Sequence, residues 1–211
     1  MRFPGLLLVF LLALTFGGCA PSQKKVDAKV SAEQDAYEEL AITPGRYLEY
    51  LRYKKKLSPP LVGAPEIPVT PQFILSNECG VCVINSVGAH FKTPWNYEAI
   101  KADVLGTHAQ GTSLVAIANW FKNKGYEHVV EYRYERGKER FLDELSQGSI
   151  IIPLIYAFRD GFGPNHFVIV SYSDDVNFNV VDSRIGVYSE PIDFFISKRV
   201  LVLGQWIAVR P

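Results

Sequence analysis

The sequence has 211 residues, of which 48% are hydrophobic and 13% aromatic. This composition suits one ordinary domain with a buried core and excludes a disordered chain. Lysine plus arginine number 22, as do aspartate plus glutamate, so the formal net charge is zero. The balance excludes the basic surface of a typical nucleic-acid-binding protein, and no nucleic-acid partner is expected.

The N-terminus has the pattern of an export signal. Arg2 precedes the apolar run 6–16, which is too short to cross the roughly 30 Å hydrocarbon layer as a helix. Small residues then lead to Cys19, and the arrangement resembles a bacterial lipoprotein signal, in which the cysteine is acylated. The resemblance implies a signal peptide at 1–18, a lipid membrane as partner through Cys19 and, with Ala20 next, an outer-membrane location facing the periplasm. An ordinary cleaved signal with an incidental cysteine is the alternative.

Residues 19–65 are predicted to connect this signal to the folded domain. Their first half is polar, and residues 46–57 have the spacing of a short amphipathic helix. A proline-rich stretch follows, with five prolines between positions 59 and 71, a density that excludes helix and favours an extended linker. We therefore expect the compact domain to occupy residues 66–211.

Within that domain the pattern changes from helices to strands. Spacing and capping residues predict helices at 79–91, 94–104, 114–124 and 138–146. Strands are predicted at 129–134, 150–157, 166–172, 178–182 and 205–209, with a turn or two of helix at 191–198. This order is typical of an α+β fold in which N-terminal helices pack on an antiparallel sheet.

Cys79 is the candidate nucleophile. It follows three polar residues and opens an apolar helix, so its thiol is expected at a helix N-terminus, where unpaired N–H groups and the dipole favour the thiolate. Its amide N–H is placed to help hold an oxyanion. Gly80 is expected to let a substrate backbone approach the first helical turn.

His166 is the candidate base among four histidines, because it heads a strongly apolar strand. His90 lies on the helix of the cysteine, about 16 Å along its axis, and is too far away. His108 and His128 are expected to be exposed. Asp182 ends the next strand, and a hairpin with its turn halfway between would place it opposite His166 or one step away. A carboxylate there can orient the imidazole and stabilise its charged form.

Together these residues resemble the double-glycine peptidases, papain-like cysteine peptidases that process bacteriocin precursors. Members carry a glutamine before an Asp-Cys-Gly sequence, then a histidine heading a strand and an aspartate sixteen residues later. Gln72, the run 77–80, His166 and Asp182 take these places, over roughly residues 68–209. Glu78 replaces the aspartate, and Gln72 lies seven rather than six residues before the cysteine.

The resemblance implies a papain-like fold, a peptide or protein substrate and hydrolysis through an acyl-thioester, without a cofactor. It also implies that Gln72 is a side-chain donor to the oxyanion. The best-studied members are fused to ABC exporters, whereas this sequence contains no nucleotide-binding motif, so processing of leader peptides is not implied.

Other functions stay open at this point. Cys79 and Cys82 form a C-x-x-C at a helix start, the motif of thiol–disulfide oxidoreductases, although the strand–helix alternation of thioredoxin is missing. A disulfide between them would silence a peptidase and act as a redox switch. A non-catalytic binding lipoprotein of the same fold is a second alternative, and acyl transfer to an amine is a third. The cysteines and histidines lack the spacing of a zinc site, and no metal is expected.

Overall fold

The structure is a computed structural model that describes residues 57–72, 76–105, 111–135, 137–156, 165–199 and 204–211. The predicted signal peptide, Cys19 and the tether up to residue 56 lie outside the described residues. Within the described ranges, no helix combines the length and the apolar character that a membrane span requires.

Three helices come first and strands dominate the rest. The helices are α1 Cys79–His90, α2 Tyr97–Leu105 and α3 Leu114–Asn123, and a fourth, α4 Lys138–Ser146, follows the first strand. The strands are β1 His128–Tyr132, β2 Ile150–Tyr156, β3 Asn165–Phe167, β4 Ile169–Ser173, β5 Asn177–Asp182, β6 Gly186–Pro191 and β7 Trp206–Arg210. Between β6 and β7, a helical turn Ile192–Phe194 runs into a π-helical turn Phe195–Arg199.

The strands form one sheet in the order β1-β7-β2-β4-β5-β6, and β3 pairs with β2 outside this path. Every pairing is antiparallel. The last strand therefore lies inside the sheet, with Val209 opposite both Val129 and Ile150. Helices before an antiparallel sheet confirm the predicted α+β class.

Each face of the sheet carries its own core, because successive side chains of a strand point to opposite sides. On one face the helices α1, α2 and α3 pack on Ile150, Ile152, Ile207 and Val209. On the other face α4 and the turns after β6 pack on Ile151, Trp206 and Ala208. The predicted layer of N-terminal helices is thus one of two layers that cover the sheet.

Local capping explains where the helices begin. Ser113 accepts a hydrogen bond from the backbone N–H of Ala116 at 3.1 Å and starts α3 as expected. The prediction that the second helix opens at Pro94 was wrong, since α2 begins at Tyr97. Asn96 Oδ1 accepts from the N–H of Ala99 at 3.0 Å and so sets the start of this helix.

The strands differ from the expectation in two places. The strand predicted at 166–172 is two strands, β3 and β4, separated at Val168, whose N–H donates to Pro153 O at 3.4 Å. The edge strand β6 was not predicted at all. Its sequence begins with Gly186 and ends with Pro191, both poor strand formers.

The segment from residue 57 to Gln72 lies along the β5–β6 hairpin and leads to the site described next. Ser189 N–H donates to Ser58 O at 3.1 Å, and Leu61 N–H donates to Asn179 Oδ1 at 3.2 Å. At its end, Gln72 N–H donates to Ser183 O at 2.9 Å. The domain boundary at residue 66 stays a prediction, although hydrogen bonds to the sheet begin before it.

Candidate active site

Cys79 is the first residue of α1 and is 8% exposed. The preceding Glu78 makes no side-chain hydrogen bond to cap the helix, which leaves the first N–H groups of α1 to act on the thiol. Helix α1 contacts β3, where the backbone N–H of Phe167 helps to lower the pKa of the cysteine. The expected position of Cys79 at a helix N-terminus is confirmed.

His166 and Asp182 form a fully buried pair, each 1% exposed. His166 Nε2 lies 3.0 Å from Asp182 Oδ1, and its N–H donates a hydrogen bond to that carboxylate. The same oxygen accepts the backbone N–H of Arg184 at 2.8 Å, so the carboxylate is held from two sides. His166 itself is positioned by β3, where it lies opposite Ile155 of β2.

The register that joins these two residues differs from the prediction. Ile169 lies opposite Val181, so that continuing the β4–β5 ladder would place Val168, not His166, opposite Asp182. The hairpin turn lies later than the midpoint because Asp174 caps it, accepting from the N–H groups of residues 176 and 177. The expectation of directly opposed residues was therefore wrong, and the contact is diagonal.

The second ring nitrogen of His166, Nδ1, is not used by the contact with Asp182. Nδ1 is buried and has no hydrogen-bond partner of good geometry among the described residues. The ring nevertheless lies close enough to Cys79 for each residue to shift the pKa of the other. An imidazole held at Nε2 and open at Nδ1 is arranged to take the proton of the thiol.

Electrostatics favours a thiolate–imidazolium pair. Burial alone would raise the pKa of Cys79, but the nearby His166 holds it below its usual value, with smaller help from the Phe167 N–H and the Arg184 charge. Burial alone would lower the pKa of His166, yet the charge of Asp182 and its hydrogen bond hold it above its usual value. Burial would raise the pKa of Asp182, and His166 keeps it low.

Gln72 is anchored to the same part of the molecule. It is 8% exposed, and its Nε2 donates to the backbone carbonyl of Ser76, three residues before the cysteine. Its Oε1 accepts from Ser183 Oγ at 2.9 Å, in the turn that follows Asp182. The structure thus connects Gln72 both to the segment before Cys79 and to the turn beside the histidine's carboxylate.

Gly80 has a different role from the one expected. A Cβ atom at this position would lie 2.5 Å from Thr112 Cβ, which is impossible without movement. The missing side chain of Gly80 therefore leaves room for Thr112, just before α3, and not for a substrate backbone. The expectation that Gly80 opens the helix turn to substrate was wrong.

Cys82 lies one turn into α1 and is completely buried. Its sulfur is 3.5 Å from Tyr97 Oη and 3.9 Å from Pro71 O. Burial raises the pKa of Cys82 to about 11, so the thiol stays protonated at neutral pH. Tyr97 also donates to Glu78 Oε2 at 3.0 Å, and Glu78 forms an ion pair with Lys101. Both Cys79 and Cys82 are free thiols in the structure.

Two contributors were not found from the sequence: Ser183 and Arg184. They follow Asp182 directly in a polar turn, and nothing local distinguishes them from ordinary turn residues. Trp206 lies in the core and stacks on Tyr132 with ring centroids 3.8 Å apart, and the partly buried Trp95 packs against the core on the other face of the sheet. Within the described part of the chain, no group of three or more His, Cys, Asp or Glu side chains could hold a metal ion.

Comparison with known proteins identifies a family and a fold. The model of the peptidase C39 family matches residues 68–198. The crystal structure of a double glycine motif protease from an AMS/PCAT transporter, in complex with the leader peptide, is 21% identical, with a TM-score of 0.54 over 74% of this chain and 100% of that one.

A second solved structure has the same fold. The peptidase domain of Streptococcus ComA, a bi-functional ABC transporter of a quorum-sensing pathway, is 19% identical, with a TM-score of 0.52 over 69% of this chain and 99% of that one. No curated protein sequence is significantly similar to the chain. The two structures support the papain-like fold expected from the sequence.

Proposed function

The chain belongs to the peptidase C39 family and is a cysteine peptidase, and we propose that Cys79, His166 and Asp182 are its catalytic triad. The observation that supports this most directly is the buried histidine, which is held by a carboxylate at 3.0 Å through Nε2, has no hydrogen-bond partner at Nδ1 among the described residues, and lies close enough to Cys79 to shift the pKa of its thiol. A nucleophile, a base and a group that orients the base are the parts that covalent peptide hydrolysis needs.

The first half of the reaction acylates the enzyme. The Cys79 proton moves to His166 Nδ1, and the thiolate attacks the carbonyl carbon of the scissile peptide bond. A C–S bond forms while the carbonyl electron pair moves onto oxygen, where the Cys79 amide N–H and Gln72 Nε2 stabilise the negative charge. When the C–N bond breaks, His166 Nδ1–H protonates the departing amine and an acyl-thioester remains.

The second half releases the acid. His166 Nδ1, now neutral, takes a proton from water as the water oxygen attacks the thioester carbonyl. Collapse of this intermediate breaks the C–S bond and returns the thiolate. Throughout, Asp182 keeps Nε2 protonated and stabilises the imidazolium, so that the reacting nitrogen is always Nδ1.

The substrate class is a peptide or protein. One of the solved structures of this fold is a double glycine motif protease bound to a leader peptide. This supports a peptidyl-Gly-Gly-aminomethylcoumarin, in which the bond after the second glycine releases a fluorophore, as the first activity probe.

Cys19 supports a location for this activity. The short apolar run before it and the small residues next to it fit a lipoprotein signal, which supports a lipid anchor for the peptidase in the outer membrane, facing the periplasm. Growth of an expressing bacterium with alkynyl-palmitate tests this. The parent chain should be labelled and fractionate with the outer membrane, whereas a labelled Cys19→Ser chain would contradict the proposal.

The test of the triad is alkylation of the full chain in detergent with iodoacetamide across pH, followed by mass mapping of the peptide that contains Cys79. Cys79 should react rapidly well below pH 8 in the parent and in Cys82→Ala, and only slowly there in His166→Ala. Cleavage of the Gly-Gly probe should be lost together with the fast alkylation. An ordinary thiol pH profile in the parent, unaffected by His166→Ala, would refute the triad.

A further inference from the structure

The amide of Gln72 has a single orientation that its hydrogen bonds dictate. One end faces the backbone carbonyl of Ser76, which has no hydrogen to donate, so this end must be Nε2. The other end is therefore Oε1, and the hydroxyl of Ser183, 2.9 Å away, must donate to it. An amide rotated by half a turn would set an oxygen against the Ser76 carbonyl, which cannot donate, and the Ser183 hydroxyl would have to accept instead of donate.

This orientation leaves one hydrogen for the substrate. Nε2 carries two hydrogens, and Ser76 O uses one of them. The second is the hydrogen that an oxyanion could receive. Without the hydroxyl at position 183, Oε1 loses its donor, and of these two side-chain contacts only the one with the Ser76 carbonyl still holds the amide.

The backbone reinforces the same contact. Gln72 N–H donates to Ser183 O at 2.9 Å, so residues 111 positions apart are joined by both backbone and side chain. Ser183 directly follows Asp182, whose carboxylate holds His166 at 3.0 Å. One turn therefore holds the base through one residue and the glutamine through the next.

We propose that Ser183 is a positioning residue for catalysis, which fixes the amide of Gln72 with Nε2 towards the oxyanion. This inference rests on the proposed function of Gln72 as an oxyanion donor. Ser183 acts only through Gln72, and its loss should slow the acylation step without changing the reactivity of the Cys79 thiolate.

Ser189 provides a matched control. It lies on β6 of the same hairpin, and its hydroxyl donates to the carbonyl of Pro59 at 2.7 Å, in the same N-terminal segment that carries Gln72. Ser189→Ala thus removes a comparable hydrogen bond between the same two parts of the molecule without touching Gln72.

The experiment compares kcat and KM for the Gly-Gly probe in full-length parent, Ser183→Ala, Ser183→Thr and Ser189→Ala, with thermal unfolding of each. Ser183→Ala should lower kcat about three- to tenfold, the value of one hydrogen bond, with unchanged KM and unchanged iodoacetamide alkylation of Cys79. Ser183→Thr should restore kcat, and Ser189→Ala should keep it. In a Gln72→Ala background, itself slower by about 10²- to 10³-fold, Ser183→Ala should have no further effect. An equal loss in both backgrounds, or none in either, overturns the inference.

A second readout does not depend on turnover and separates this inference from the proposed function. In the chain labelled with ¹⁵N-glutamine, the side-chain signals of Gln72 are those missing from Gln72→Ala. Ser183→Ala should shift them and speed their exchange with water, while Ser189→Ala leaves them in place. Unchanged Gln72 signals in Ser183→Ala would overturn the inference, whereas a parent that fails to cleave the probe but shows the shift would count against the proposed substrate alone.

Discussion

Two histidine–carboxylate pairs of nearly the same geometry occur among the described residues, and they differ in what surrounds them. His166 Nε2 lies 3.0 Å from Asp182 Oδ1, and His128 Nε2 lies 2.9 Å from Glu144 Oε2. Both carboxylates are buried. The distance between ring and carboxylate alone therefore does not identify an active site.

The surroundings separate the two pairs. Glu144 also accepts from Tyr132 Oη and from Ser149 Oγ, so it connects α4 to β1 and to the residue just before β2 in a closed network. The side chain of His128 is 25% exposed, whereas that of His166 is 1% exposed, with its Nδ1 buried and without a hydrogen-bond partner among the described residues. His166 also lies close enough to Cys79 for each residue to shift the pKa of the other. What the second ring nitrogen faces decides whether such a pair can do chemistry.

Removing each imidazole is the strongest test of the difference between the two pairs. His166→Ala should lower kcat/KM for the Gly-Gly probe by about 10²- to 10⁴-fold, because the base and the partner of the thiolate are lost together. His128→Ala should leave kcat/KM unchanged and lower only the thermal unfolding temperature. Loss of activity in a folded His128→Ala chain would show that the two pairs are not functionally distinct.

The pH dependence should follow the first pair and not the second. The pKa of Cys79 is lowered, so the thiolate is lost only as pH falls through that low value, and the pKa of His166 is raised, so the imidazolium persists until pH rises through that high value. Activity should form a plateau between these limits and fall about tenfold per pH unit beyond each.

The second pair should contribute to the pH dependence of stability. Hydrogen bonds from Tyr132, Ser149 and His128 outweigh burial and hold the pKa of Glu144 below its usual value of 4.5. Its contribution to the free energy of unfolding is thus present above 4.5 and disappears as pH falls through the lowered value. Urea unfolding of parent and Glu144→Gln across this range checks the sign, and a pH dependence of Glu144→Gln equal to that of the parent would contradict it.

Much of the site could be predicted because each of its three main residues marks a local boundary. Cys79 starts a helix, His166 is the second residue of a short strand and Asp182 ends a strand, and hydrophobic periodicity reveals all three elements. The distance between His166 and Asp182 depends on where the hairpin turns. The turn lies about one residue later than predicted, because the hydrogen bonds by which Asp174 caps it were not anticipated.

The sequence contains no local pattern that predicts contacts between distant segments. Ser183 and Gln72 are 111 positions apart, and a serine in a polar turn looks like any other turn residue. Thr112 fills the space beside Gly80, a contact set by the packing of two helices that no periodicity encodes. The sequence therefore reveals which residues begin and end elements, while tertiary packing decides what they touch.

Removing only the charge of each carboxylate tests the difference between the two pairs more finely. In Asp182→Asn the amide oxygen can still accept from His166 Nε2 and from Arg184 N–H, so we expect about a tenfold loss of kcat/KM, the effect of about one pKa unit of lost imidazolium stabilisation. The alkaline limit of the pH profile should move to lower pH. An unmoved limit would show that Asp182 does not set the pKa of His166.

Glu144→Gln should lower stability and leave activity unchanged. Its new NH₂ group meets donors in a buried network, which should reduce the free energy of unfolding by about 1–3 kcal/mol while kcat/KM stays at the parent value. Chemical denaturation and probe cleavage on the same samples test both halves. Loss of activity in a folded Glu144→Gln chain would show that the two pairs are not functionally distinct.

The smallest effect is expected at the second thiol of α1. Cys82 is fully buried, and its pKa is raised to about 11, so it is a poor nucleophile for a disulfide with Cys79. Cys82→Ala should change kcat/KM less than about twofold and destabilise the fold by about 1 kcal/mol, because only a small side chain is lost. Parent and Cys82→Ala should also lose activity to hydrogen peroxide at the same rate, since the oxidised Cys79 would find no reactive partner. Slower or reversible inactivation of the parent alone would instead show that Cys82 resolves an oxidised Cys79, and that this C-x-x-C is a redox switch.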